Sequence, residues 1–306
     1  MAILTEVWAR DIAEKLFPND SFVMNAISDD PWVNNKKVHR PQAGALPTVE
    51  RNRSVFPAVA AQRSDTDNEY DLDEFTSTPT LIRDIEEVEV SYNKRSSVLK
   101  NHIDVLNLQI ANWLLYKWSG TGASQIIRTT GADIVANLPS ATGNRKKLTL
   151  NDIMEARKKF NDADIPEEGR CILIPSSMYD QLLLDEKNIL ISRDFRGDAD
   201  ISNGVLRKLF GFTIYTRGRN NCLRYTNAAT PVVKEPTAAG AATDNAACLV
   251  WHKDFVARAK GGVKVYSKID EPTFYGSIFS ALARAGGQKI YTDGTGVLSI
   301  VEAAGT

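Results

Sequence analysis

The sequence has no run of eighteen consecutive apolar residues, so no segment reads as a membrane-spanning helix. It has only three cysteines, Cys171, Cys222 and Cys248, far apart, odd in number and without C-x-x-C spacing. That argues against a disulfide framework or thiolate metal site and predicts free thiols in a reducing cytoplasm. Positive charge is not in excess: 37 Lys and Arg stand against 38 Asp and Glu, a formal net charge of −1. A dedicated nucleic-acid binder draws affinity from phosphate neutralisation, so contact with nucleic acid is expected to be local and weak. The first residues, Met1-Ala2-Ile3-Leu4-Thr5-Glu6, lack the basic start and long apolar core of a secretory signal. No internal repeat stands out.

Catalytic and metal-binding patterns are also missing. The acidic run from Asp65 to Asp73 has Tyr70 where a calcium loop needs glycine and Thr76 where it needs a bidentate Glu. A solvated or partner-facing charged face fits it better. Ser119-Gly120-Thr121-Gly122 follows a helix pattern and lacks the G-K-[ST] ending of a phosphate loop, so it reads as a helix stop. Asp293-Gly294-Thr295-Gly296 reads as a turn between strands. The three histidines, His39, His102 and His252, have no Cys or His at ligand spacing, and no G-x-S-x-G elbow occurs. The expectation is a protein that is not an enzyme, with no catalytic, cofactor-binding or metal residues and no cofactor.

What is present is a distinctive order of elements. Residues 4–17 place Leu4, Val7, Trp8, Ile12 and Leu16 at helical spacing up to Pro18, and a short apolar run from Phe22 to Ile27 follows. This reads as an arm. In residues 36–82, Pro41, Gly44, Pro47 and Pro57 interrupt every possible helix, and large apolar residues are few. Arg51, Arg53 and Arg63 lie on the outgoing side; Asp65, Asp67, Asp71, Asp73 and Glu74 lie on the return, which ends in a strand at Phe75–Ile82. A long hairpin projecting from the body is predicted. Over 92–118, Leu99, Ile103, Leu106, Ile110, Trp113 and Trp118 follow the i, i+3/i+4 rule and predict a spine helix about 40 Å long.

Further on, 149–162 reads as an amphipathic helix capped by Thr149 or Asn151, with Ile153, Met154, Ala156 and Phe160 on it. Cys171–Ile174 reads as a buried strand, and Ser176 or Ser177 as the cap of a helix through Leu183. Gly204–Tyr215 reads as a short element, a glycine turn and a strand; 227–245 as a surface loop; Ala247–Trp251 as a strand. The tail offers a strand at Val263 and Val265, a helix-like run from Phe274 to Ala285, and a last strand over Gly296–Val301.

This order resembles the tailed-bacteriophage major capsid proteins of the Hong Kong 97-type (Johnson) fold, over nearly the whole chain. Ile165-Pro166-Glu167-Glu168-Gly169-Arg170-Cys171-Ile172-Leu173-Ile174-Pro175-Ser176-Ser177-Met178-Tyr179 is similar to the family's P-x-x-G-R-x-(apolar)-P-x-x-(aromatic) segment. Gly211-Phe212-Thr213-Ile214-Tyr215 after Leu206–Phe210 resembles its strand after a short helix. The resemblance implies an α+β subunit: an N-terminal arm (1–35), an extended β-hairpin loop (E-loop, 36–82), a peripheral domain with the spine helix (83–167), an axial domain (168–260), and a C-terminal return (261–306).

It further implies pentamers and hexamers tiling an icosahedral shell around double-stranded DNA, a virion location, and assembly in the bacterial host cytoplasm. Arg51, Arg53, Arg63, Asp65, Asp67, Asp71, Asp73 and Glu74 would then be inter-subunit loop contacts, since a hairpin that cannot bury itself needs a neighbour. Expected partners are copies of itself, a separate scaffolding protein (favoured by the initiating Met1), a portal and a decoration protein, with weak DNA contact and no membrane. Some family members join the loop to a neighbour by a lysine–asparagine isopeptide bond; residues 41–80 contain no lysine, which predicts no such bond from the loop tip. The alternatives are an encapsulin-type nanocompartment shell, a tail or baseplate component, and an enzyme whose site is assembled from scattered Asp and Glu.

Overall fold

The computed structural model describes residues 21–34, 36–44, 47–54, 56–57, 60, 62–83, 94–184, 199–200, 205–206 and 208–305. The helix expected over 4–17 lies outside them. In chain order the strands and helices are β1 (Ile27–Ser28), β2 (Val33–Asn34), β3 (Lys37–Gln42), β4 (Thr66–Asp71), β5 (Asp73–Thr76), β6 (Thr80–Arg83), α1 (Lys94–Trp118), β7 (Ile126–Arg128), β8 (Asp133–Val135) and β9 (Asn144–Lys146). They continue as α2 (Leu150–Asp162), β10 (Arg170–Pro175), α3 (Ser176–Leu183), β11 (Ala199–Asp200), β12 (Val205–Leu206), β13 (Lys208–Leu209), β14 (Phe212–Arg217) and β15 (Leu223–Tyr225). Last come β16 (Asn245–His252), β17 (Val256–Glu271), β18 (Gly276–Lys289) and β19 (Val297–Val301).

Two sheets organise the chain. The seven-stranded one runs β13-β14-β10-β16-β19-β7, with β15 on β16. Its central strands β10 and β16 are buried at every residue and read as continuous apolar runs, the pattern of strands covered on both faces. Odd residues Cys171, Leu173, Leu249 and Trp251 face one core with α1; even residues Ile172, Ile174, Cys248 and Val250 face a second core with α2 and α3. The five-stranded sheet runs β1-β17-β18-β5, with β6 also on β18, and α1 lies along it.

Helix α1 buries Ile103, Leu106 and Ile110 as the spacing predicts, but also Leu114 and Leu115, while Trp113 is only partly covered. The wider buried stripe arises because the C-terminal end of α1 meets both sheets: Trp118 packs against Trp251 of β16 at 6.3 Å and donates its indole N–H to the Ala257 carbonyl of β17 at 3.0 Å. In α2, Ile153, Ala156 and Phe160 are buried but Met154 is exposed, one position off the apolar stripe. Thr149 caps this helix, its backbone N–H donating to Asp152 Oδ2 at 2.8 Å. Helix α3 is capped by Pro175 instead of a serine; no cap hydrogen bond forms, and Ser177 Oγ has no partner.

Two readings are overturned. The run Phe274–Ala285 is not helical but forms a 3-10-free turn followed by strand β18, fourteen residues long, antiparallel to β17. Its alanines are small because α1 lies on them: Phe279, Ala281, Ala283 and Ala285 alternate on the buried face, a period of two inside a composition that favours helix. Gly286 and Gly287 continue the strand instead of breaking it, and a Cβ on Gly287 would meet Leu114 Cδ2 at 2.5 Å and the Ala257 carbonyl at 2.8 Å. The short helix expected at Leu206–Phe210 is also absent. Lys208–Leu209 pairs back on Phe212–Thr213 through Phe210 and Gly211, both at positive φ (50° and 85°), the geometry of a tight two-residue hairpin turn.

Candidate subunit-interaction surfaces

The predicted hairpin forms. Strand β3 pairs antiparallel with β4 in the register Lys37 with Asp71, His39 with Glu69 and Pro41 with Asp67, and β2 adds a third short strand. Alternation divides this ribbon. Its inner face sets Val38 and Tyr70, with Leu72 just beyond, on Ala259 of β17, and Asn68 Nδ2 donates to the Ile290 carbonyl at 2.9 Å. Asp29, almost fully buried, receives Arg40 at 2.5 Å and the Tyr70 hydroxyl at 2.9 Å. Burial, then the Asp29 charge, pushes the Tyr70 phenol far above its ordinary range, so it stays a donor. The root of the loop is therefore fixed to its own chain. The rest of the return is not one strand but two, β5 and β6, each laid on β18.

Between Gln42 and Thr66 the described residues are mostly exposed. Val49 and Phe56 are 96% and 76% exposed. Arg51 is exposed; Arg53 pairs with Glu50 at 3.0 Å and Arg63 with Asp65 at 2.7 Å, where Asp65 also accepts from the Gly44 amide. The remaining residues singled out in the sequence are dispersed. Asp67 faces His39 Nδ1 at 2.8 Å, Asp71 is exposed opposite Lys37, Asp73 accepts the Trp113 indole N–H on α1, and Glu74 pairs with Arg284 of β18 at 3.3 Å. Such exposed pairs contribute only ~0–1 kcal/mol each.

Cross-strand register assembles a group that spacing along the chain did not reveal. His39, Asp67 and Glu69 bring their ligand atoms within 4.8 Å of one another on the outer face of the hairpin, with Lys37 Nζ on Glu69 at 2.9 Å. All are about half exposed. On that face Asp67, Glu69 and Asp71 stand against Lys37 as the one constant cation, leaving it acidic.

Part of a second face is open to solvent. The five-stranded sheet is packed by α1 on one side; the other side presents Lys264, Tyr266 and Lys268 of β17 beside Ile278, Ser280, Leu282 and Arg284 of β18 and Arg83 of β6. Lys264, Tyr266, Lys268 and Arg83 are exposed. The K-V-Y-S-K alternation at 264–268 was the available signal for it.

The buried reactive groups are held quiet. Burial pushes the thiols of Cys171 and Cys222 up to about 12 and that of Cys248 well above its usual value, so none is poised as a thiolate nucleophile. His252 is buried, its Nε2 2.8 Å from the Glu168 carbonyl and its Nδ1 accepting from the Asp254 amide. Glu302 ends an oriented chain of hydrogen bonds: the Leu148 amide donates to Gln181 at 3.0 Å, Gln181 to Asn137 at 2.9 Å, Asn137 to Glu302, and the Ala246 amide to Glu302 at 2.8 Å. The arrangement fastens β19 to β16 and to the loop before β9.

A family model described as phage capsid protein matches residues 119–300. No curated protein sequence gives a significant match. Among solved structures, the capsid of cyanophage P-SCSP1u superposes with a TM-score of 0.64 at 17% identity, covering 92% of this chain and 87% of that one. The capsid of Ralstonia phage GP4 gives 0.60 at 12% identity, with 92% and 88% covered. A virus-like particle from Pyrococcus furiosus gives 0.54 at 10% identity, with 97% and 99% covered.

Proposed function

This chain belongs to the phage capsid protein family and is a structural protein of the virion capsid that assembles with copies of itself; on that premise we propose that it is the repeating subunit of an icosahedral shell around double-stranded DNA, built from pentamers and hexamers. The observation that carries the reading is the division of the loop. Its root is sealed onto β17, while among the described residues beyond it Val49, Arg51, Phe56 and Arg63 are exposed. A neighbour that covers them makes a heterologous contact, which closes into a ring when repeated. We place no enzymatic activity on the chain. Assembly in the host cytoplasm, on a separate scaffolding protein and with a portal, a decoration protein and weak contact with the packaged DNA, completes the proposal.

We also take the arm to run over 1–35, the extended loop over 36–82 and the C-terminal return from 261. The spine helix with the five-stranded sheet then forms the peripheral part. We take the peripheral domain over 83–167 and the axial domain over 168–260, with α2 packed on β7 and β19 of the seven-stranded sheet.

Electron microscopy of the full chain, expressed alone and with its neighbouring genes, tests this. Closed shells containing nucleic acid are expected. A stable monomer that never associates under either condition would refute it. The full-length likeness to the Pyrococcus furiosus particle supports a second reading, a nanocompartment enclosing protein cargo, and the content of purified shells separates the two.

A further inference from the structure

We propose that His39, Asp67 and Glu69 form a binding site for a divalent transition-metal ion of the zinc class, which ties the two strands of the loop root together. The site lies within one chain, so the inference does not rest on the shell reading. Strand register builds it. The Leu72 amide donates to the Lys36 carbonyl at 2.7 Å, so by alternation Val38 with Tyr70 and Arg40 with Asn68 are hydrogen-bonded pairs. His39 and Glu69 therefore make a non-hydrogen-bonded pair, the kind that stands closest, about 4.5 Å apart at Cα. Asp67 follows on the same face of β4, diagonal to His39 and within reach of its ring. Pro41, which has no amide hydrogen, sits opposite Asp67 at a pair that needs none.

The donors converge. His39 Nδ1 is 2.8 Å from Asp67 Oδ2 and 3.7 Å from Glu69 Oε2. Tetrahedral zinc with nitrogen and oxygen ligands at about 2.0–2.2 Å sets them about 3.3–3.6 Å apart, so shifts of under about an ångström complete the site. Lys37 Nζ holds the other oxygen, Glu69 Oε1, at 2.9 Å; it orients the carboxylate and leaves Oε2 toward the imidazole. The strands beneath are fixed, because Val38 and Tyr70 pack on Ala259 and Arg40 is paired with the buried Asp29. Charge fits as well: Asp67, Glu69 and Asp71 against Lys37 leave this face with two negative charges, the complement of one divalent ion. The imidazole sets the class of ion, since one nitrogen with two carboxylate oxygens suits zinc, whereas magnesium and calcium take oxygen alone. Three protein ligands leave a fourth position for water. His102 and His252 are buried, so His39 is the one exposed imidazole of the three in the sequence.

The test is isothermal titration of zinc chloride into the soluble, chelator-treated full chain at about 0.15 M salt, with H39A, D67N and D71N beside the unchanged protein. One ion per chain is expected, with calcium and magnesium bound at least about tenfold more weakly than zinc. H39A and D67N should each lower zinc affinity about tenfold or more, as loss of a ligand requires. D71N removes a carboxylate from the same face but not from the donor group, and screening should hold its effect to less than about threefold. The positions are exposed, and a thermal midpoint in chelator within about 2 °C of the unchanged chain shows each variant to be folded. Unchanged zinc affinity in folded H39A overturns the site. So does a loss in D71N as large as that in D67N, or calcium binding as tight as zinc; either would reduce the group to a diffuse acidic surface. No zinc binding by the unchanged chain overturns it and leaves the shell reading intact, while zinc binding by a chain that never forms shells would overturn that reading alone.

Discussion

Trp251→Phe is the most informative single change in the body of the protein. Trp251 lies at the end of β16 with no exposed surface and meets Phe22 edge-on at 6.3 Å, Trp118 at 6.3 Å and Tyr215 at 6.1 Å. Its indole N–H donates to the Asn25 carbonyl at 2.8 Å, so one side chain ties the arm segment at 21–28 to the junction of both sheets. Phenylalanine keeps most of the apolar contact. It loses the hydrogen bond and strands the Asn25 carbonyl, which costs about 1–2 kcal/mol. The smaller ring leaves a void of roughly 40 Å³, about 1 kcal/mol at ~24 cal/mol per Å³. A destabilisation of about 2–3 kcal/mol follows, a drop of roughly 3–5 °C in thermal midpoint for a chain of this size. The assay pairs thermal unfolding, followed by near-UV circular dichroism, with limited proteolysis between residues 21 and 34. The midpoint should fall, and cleavage in that segment should accelerate more than cleavage elsewhere. A shift below about 1 °C with unchanged arm protection would refute the role given to the indole bond.

Three further outcomes follow. Glu302→Gln should destabilise by about 2–4 kcal/mol in denaturant titration, because the fixed donors of Asn137 and the Ala246 amide both need an acceptor and the new amide offers only one; an unchanged midpoint would show that the chain of bonds can reverse. Burial holds the His102 imidazole below its usual value, so the unfolded chain binds the extra proton first. Its contribution is complete above about pH 6.5 and is lost as pH falls through the folded value; His102→Gln should flatten the pH dependence of the thermal midpoint between about pH 5 and 7. Purified particles boiled in denaturant should run as a single monomer band, since residues 41–80 contain no lysine, and a ladder of covalent oligomers would contradict this.

The spine helix and the hairpin were legible because each is set by a strong local signal: an apolar stripe in α1, and prolines with few apolar residues in the loop. The error at Phe274–Ala285 has a physical source. Alanine is the best helix former, yet here it is chosen for size, so that α1 can approach β18 closely; composition answered a question of propensity where packing decided. The alternation F-S-A-L-A-R-A was present and outweighed. Serine caps failed similarly at α3, where Pro175, with φ −56°, already sets the turn into the helix. The His39, Asp67 and Glu69 group could not be read from spacing, since 28 residues separate His39 from Asp67 and only the register of two strands joins them.

The same distinction explains how one chain can be stable in its body and unfinished at its edges. Both cores are closed by residues whose partners lie far away in sequence, such as Trp118 with Ala257 and Tyr225 with Ser299 and the Gly120 carbonyl. The loop is built differently. Its inner face is committed to β17 and its outer face carries charges whose local pairs are worth little in water, so the free energy available there depends on what excludes the water. A neighbouring copy that did so would strengthen each of these charge contacts at once. Association would then favour the arrangement in which opposite charges meet over the arrangement that merely buries the most surface, and a contact of that kind can be reversed and corrected while a shell is closing.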